Sequence, residues 1–118
     1  MSKSQSVLRL ANAVLILSEE IGSRWPFEEK HYPPLAEVPN GGQRRFSFLH
    51  MTLHLMKEAG ILARIEERAQ HRQGHDLPRR DWLRVQRLAM KAIVTGFRLL
   101  EVSGGTAEDL IRYIRRSQ

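Results

Sequence analysis

The sequence predicts an all-α protein, a single domain over residues 1–118, built as a helical bundle of three long helices and one short C-terminal helix. Three observations predict it. Apolar residues recur at spacings of three and four, as on one face of a helix. No stretch alternates apolar and polar side chains as a half-buried strand would. Gly, Pro and Asn gather in a few clusters that cut the chain into long uninterrupted pieces.

The first helix is predicted over about residues 4–21. Val7, Leu8, Leu10, Ala11, Val14, Leu15, Leu17 and Ile21 form its wide apolar face, and Gly22 is a natural stop. Residues 23–42 then hold four of the five prolines and end in Asn40-Gly41-Gly42, which argues against regular structure. A loop of this length is uncommon in a compact domain and is usually functional. Its Trp25, Phe27 and Tyr32 point to packing on a partner subunit or over a cleft.

The second helix is predicted over residues 43–70. Its apolar residues, among them Phe46, Phe48, Leu49, Met51, Leu53, Met56, Leu62 and Ile65, spread over more than one face, as in a helix with neighbours on several sides. HRQGHDLP, residues 71–78, breaks it. Asp76 is the expected cap of the third helix and Pro78 a first-turn residue. That helix is predicted over about 77–102, with Trp82, Val85, Ala89, Ala92, Ile93, Gly96, Phe97 and Leu100 as its buried stripe. Ser103-Gly104-Gly105 ends it. Thr106 and Asp109 make a capping box for the short last helix, and Leu110, Ile111 and Ile114 give its apolar side.

There is no cysteine, so disulfides and thiolate metal sites are excluded. No apolar run reaches the roughly 18 residues of a membrane span, and the N-terminal apolar run is closed early by Ser18-Glu19-Glu20. The expectation is a cytoplasmic protein with no membrane partner. The net charge of +6 favours acidic or phosphate-bearing partners. No Gly-x-Ser-x-Gly elbow and no phosphate loop is present, since Asn40-Gly41-Gly42 lacks the following Lys-Ser/Thr.

Two sets of residues carry candidate chemistry. Arg80, Arg84, Arg87, Lys91 and Arg98 follow one another at intervals of 4, 3, 4 and 7, so they share a face of the third helix, away from its apolar stripe. Such a row can track phosphates, and Arg44, Arg45, Arg112, Arg115 and Arg116 extend the field. The plain alternative is a solvated helix face. His50, His54 and Glu58 follow one another at steps of four. Two His one turn apart can chelate a metal, and a carboxylate one turn on can complete a three-ligand set. Against this, Lys57, Arg64 and Arg68 make the same side a polar, cationic face.

The run Lys57-Glu58-Ala59-Gly60-Ile61-Leu62 resembles the first metal-binding helix of the MazG-like all-α nucleoside triphosphate pyrophosphatases, whose usual run is Glu-x-Gly-Glu-Leu. The resemblance extends over about residues 45–115 through helix order and length. In that family carboxylates at i and i+3 on two facing helices hold Mg²⁺, which activates water against the triphosphate. Here Glu58 fits the first carboxylate and Ile61 stands at the second. Arg87 and Met90 stand where the facing helix would bring its pair. The resemblance therefore implies a MazG-like helical protein with most catalytic carboxylates missing, which binds a nucleotide or phosphate ligand, or a protein partner, with little or no hydrolysis. It also implies a homo-oligomer, a dimer or higher. The alternatives are a small basic helical nucleic-acid-binding module, and a Mg²⁺-dependent pyrophosphatase whose site is rebuilt around Glu58 and acids such as Glu19, Glu20, Glu28 and Glu29.

Overall fold

In the computed structural model, which describes residues 2–39, 41–72 and 76–116, the described residues form four α-helices and one 3-10 turn, with no strand. The helices are α1 (Lys3–Arg24), α2 (Gln43–His71), α3 (Arg79–Val102) and α4 (Ala107–Arg116). None is long and apolar enough to cross a membrane.

Local sequence explains most boundaries. Ser2 caps α1 through a reciprocal box with Gln5. α1 does not stop at Gly22 but runs on to Arg24. Gly22 faces α3, where a Cβ would lie 3.8 Å from the Glu101 carboxylate and 3.9 Å from the Arg98 guanidinium, ordinary van der Waals contact. The glycine does not end the helix, and the α1–α3 crossing has room for a small side chain there. Asp76 does not cap α3: its carboxylate accepts from the adjacent Leu77 N–H, and Pro78 is the N-cap. α3 ends on a Schellman turn. Gly105 N–H donates to Leu100 C=O and Gly104 N–H to Glu101 C=O, with Gly104 at φ +87°. Arg44 of α2 donates to the Val102 carbonyl at 2.7 Å, satisfying another of the last carbonyls of α3. α4 opens on the expected box, Thr106 and Asp109 bonding each other's backbone N–H.

Residues 25–39 form a strap. Contrary to the expectation of no regular structure, Pro33–Glu37 is a 3-10 turn, and it buries Leu35. Pro at its first positions presets φ, so breakers of longer helices suit this short one.

Packing runs in one direction. α2 lies along α3, α3 meets α1, and α1 meets α4. Val14, Ala107 and Ile111 form the cluster between α1 and α4, with Leu10, Ala11, Leu15, Phe97 and Leu110 against it. The molecule is a flat layer, 51 × 50 × 22 Å, with a radius of gyration of 17.9 Å. A compact domain of this length has about 13.5 Å. The apolar stripe expected to be buried on α3 is not covered: Trp82, Ala89, Ile93 and Gly96 are exposed, and Val85, Ala92, Phe97 and Leu100 are half-buried. The buried residues of α3 are Leu88, Thr95 and Arg98. The reason is topological. Among the described residues α3 has helices on two sides only, and no element lies over the third.

Candidate functional site

α2 and α3 run side by side with a cleft along one side, bordered by the strap. Its main cavity holds about 460 Å³. Trp25 and Tyr32 line it from the strap, Met51, His54, Lys57, Glu58 and Ile61 from α2, and Arg87, Leu88, Met90, Lys91, Val94, Thr95 and Arg98 from α3. An adjoining groove is lined by Ile61, Arg64, Glu67 and Arg68 of α2 and Arg84 of α3. The basic row of α3 thus lies along the cleft rather than on an isolated face. Arg84, Arg87 and Lys91 line its cavities and Arg80 lies one turn further out, all four exposed. α2 supplies Lys57, Arg64 and Arg68 from the other wall. Like charges gathered on two walls raise the local potential for anions.

Arg98, the last of that row, departs from the expected exposed position. It is only 2% exposed. Its guanidinium carbon lies 3.9 Å from the centre of the Phe27 ring, a cation–π contact. Nη1 donates to Glu101, while Nε and Nη2 are buried with no hydrogen-bond partner among the described residues. Each such unmet donor costs about 1–3 kcal/mol. The seven-residue step from Lys91 gave no hint of this burial. It follows from the α1 crossing at Gly22 and from the strap, neither of which leaves a periodic trace.

Glu58 is also buried in the cleft, and its Oε2 has no hydrogen-bond partner among the described residues. The cleft therefore holds a buried carboxyl and a buried guanidinium, each incompletely satisfied among those residues. Buried polar groups left this way call for an explanation, a bound water, ion or ligand among them.

His50 and His54 do meet, with Nε2 atoms 3.1 Å apart. One ring must donate and the other accept. His50 also packs edge-on to Tyr32, at 5.0 Å between ring centres, and stacks with Phe46. Burial, and next the charge on His54, hold the His50 pKa below its ordinary value. The three-ligand set with Glu58 is not assembled. Among the described residues no group of three or more His, Asp or Glu is placed to hold a metal ion. Steps of four advance by about 40° around a helix, so His50 turns toward the strap while Glu58 turns toward α3. Among the residues lining the 460 Å³ cavity, Mg²⁺ would find one carboxylate, Glu58, while Glu67 lines only the adjoining groove.

Several lining residues were not singled out as ligands from the sequence. Lys57, Arg64 and Arg68 were read as the polar side of α2, and only pairing with α3 turns that side into a wall. Arg44 and Arg112, expected to extend the phosphate field, have other partners, the Val102 carbonyl and Asp109. Comparison with protein-family models, with curated proteins and with solved structures gives no significant match.

Proposed function

We propose that this chain binds a nucleotide or a related phosphate ligand in the α2–α3 cleft and hydrolyses it little or not at all. The observation that carries the reading is the convergence of Lys57, Arg87, Lys91 and Arg98 on one 460 Å³ cavity that also exposes Trp25 and Tyr32. The cations suit phosphate oxygens. The aromatic and apolar lining suits a planar base, as in most small-molecule sites. A phosphate entering beneath the strap would give Arg98 the acceptors it lacks. Glu58 is then free to accept from an amino or hydroxyl group of the same ligand.

The single carboxylate lining the 460 Å³ cavity argues for binding rather than turnover. Two-metal phosphoryl chemistry needs several oxygen ligands fixed together. On the MazG-like resemblance, Arg87 occupies a position where a carboxylate would hold the ion, and a guanidinium grips phosphate directly instead. This makes the chain a non-hydrolysing relative of that family.

The second reading, a nucleic-acid-binding module, draws on the adjoining groove, where Arg64, Arg68 and Arg84 extend the cationic lining past the cavity. A polyanion longer than one nucleotide would use both.

Thermal unfolding separates these readings. The panel is inorganic phosphate, pyrophosphate, nucleoside triphosphates with and without Mg²⁺, and a short DNA duplex. A ligand at 100 times its Kd adds about 2.7 kcal/mol. Stabilisation by a nucleotide without Mg²⁺, and its loss in Arg87→Glu, is the expected result. Stabilisation by the duplex alone, abolished by salt, replaces it with the second reading. A response that needs Mg²⁺ and is accompanied by product release would show a rebuilt pyrophosphatase site. No response to any of them sinks the proposal.

A further inference from the structure

The face of α2 turned away from α3 carries Leu49, Leu53, Met56, Gly60 and Ala63, at intervals of 4, 3, 4 and 3. All five are exposed. Intervals averaging 3.5 keep side chains in register along a straight seam between two packed helices. Yet among the described residues no element lies on this seam, and α2 has α3 alone as a helical neighbour of any extent. The chain exposes 9169 Å². A compact monomer of its mass exposes about 6,600 Å². The excess, about 2,600 Å², is more than the roughly 800 Å² that each partner contributes to a standard interface. The occupant must therefore cover a long apolar helix face.

We infer that the occupant is a second copy of this chain, paired antiparallel along α2 about a two-fold axis at Met56. The seam is self-complementary when reversed about that residue. Leu49 then meets Ala63, Leu53 meets Ala59, and Thr52 meets Gly60, because each pair lies equally far on either side of Met56. On either side of the axis, where Met56 meets its own copy, a large or branched side chain faces a small one, which suits close helix packing. The same reversal sets Arg45 against Glu67. Arg45 makes no ion pair among the described residues, and Glu67 has only a 3.8 Å contact with the exposed His71. A parallel pairing would instead stack Leu49 on Leu49, leave a gap at Gly60, and set Arg45 on Arg45 and Glu67 on Glu67. The antiparallel pair is isologous and closed, so it stops at two chains in this seam. It also turns two open α2–α3 layers into a four-helix bundle, with the ligand clefts on its outside.

The inference stands apart from the ligand reading, and its test uses no ligand. Sedimentation of the wild-type chain at about 100 µM should show twice the 13.7 kDa monomer mass. The chain has no cysteine, so Met56→Cys introduces one thiol on the proposed axis. A short bis-maleimide should join two such chains, while Lys57→Cys, on the cleft side of the same helix, should stay unjoined. Met56→Glu should leave helix content unchanged and raise the dimer Kd by about 100-fold or more. Arg45→Glu and Glu67→Arg should each weaken the dimer by about five-fold, and the double exchange should restore it. A wild-type monomer at this concentration overturns the inference. So does a dimer that Met56→Cys fails to join, or charge reversals whose effects simply add.

Discussion

On the side of α2 turned toward α3, Ser47, Met51, Glu58, Ile65 and Ala69 are buried; on the opposite side Leu49, Leu53, Met56, Gly60 and Ala63 stand in solvent. The buried side contains a serine and a glutamate. The exposed side contains no charge from Phe46 to Arg64 apart from positions that belong to the cleft wall. By composition alone the wrong side would be chosen as the core. The difference teaches that the fold of one chain and the fold its sequence is patterned for need not have the same boundary. A buried carboxylate is retained where chemistry needs it, and an apolar seam is retained where something else covers it.

The largest expected effect separates the two sides by stability. Ile65 is 2% exposed. Ile65→Ala should lower the unfolding free energy by about 2–5 kcal/mol, the usual range for a buried large-to-small change. Leu53→Ala, of similar size but on the bare side, should change the stability of the dilute single chain by less than about 0.5 kcal/mol. Urea unfolding at low protein concentration measures both. Equal losses at the two positions would mean that the seam is already covered within the chain, and the comparison would collapse.

The second effect sharpens the cleft side. Arg98→Met removes a buried guanidinium with two unmet donors and keeps most of the side-chain volume under Phe27. Ligand-free stability should hold or rise, because relief of the two unmet donors offsets the loss of the Phe27 contact and the Glu101 pair. Affinity for phosphate ligands should fall by roughly ten-fold, about 1.4 kcal/mol. Lys91→Glu reverses an exposed charge on the same wall and should weaken the same ligands with no cost in stability. If Arg98→Met instead unfolds the chain and leaves Lys91→Glu binding normally, Arg98 is a structural cation and the cleft is not a phosphate site.

Much of the fold was legible in the residues, and the failures share one cause. Helix periodicity placed α2 and α3 to within two residues, and Ser103-Gly104-Gly105 marked the end of α3 and Thr106/Asp109 the start of α4 because caps are local. Gly22 misled, since a lone glycine is tolerated inside a helix and α1 runs past it to Arg24. Asp76 misled because two acceptable caps, Asp76 and Pro78, compete within three residues. In the site, the basic row was legible as a row, and the strap aromatics as a lid over something. The burial of Arg98 and Glu58 was not. Arg98 is covered by α1 and by the Phe27 ring of the strap, which leave no periodic trace. Glu58 depends on which face of α2 meets α3, and α2 is apolar on two faces, so its pattern alone offers two answers.

The smallest effect concerns the edge of the cleft, where the strap rests on His50. Burial and the neighbouring His54 hold the His50 pKa below its ordinary value, which is about 6.5 in an unfolded chain. The unfolded state therefore binds more protons than the folded state once the pH drops below that value. Stability rises with pH in such a window. The contribution is fully present above pH 6.5 and is lost as the pH falls toward the depressed folded value, below which the dependence flattens. Protonation of both rings would also end the Nε2–Nε2 hydrogen bond between His50 and His54 and set a charge beneath Tyr32. Melting temperature measured from pH 7.5 down to 5 should show this decline in the wild type. His50→Gln should remove part of it, while Leu53→Ala, whose side chain stands on the seam, should leave it intact. A wild-type profile that is flat over this range would show that the strap does not sense the His50 charge, and the loosening of the cleft edge in acid would have to be given up.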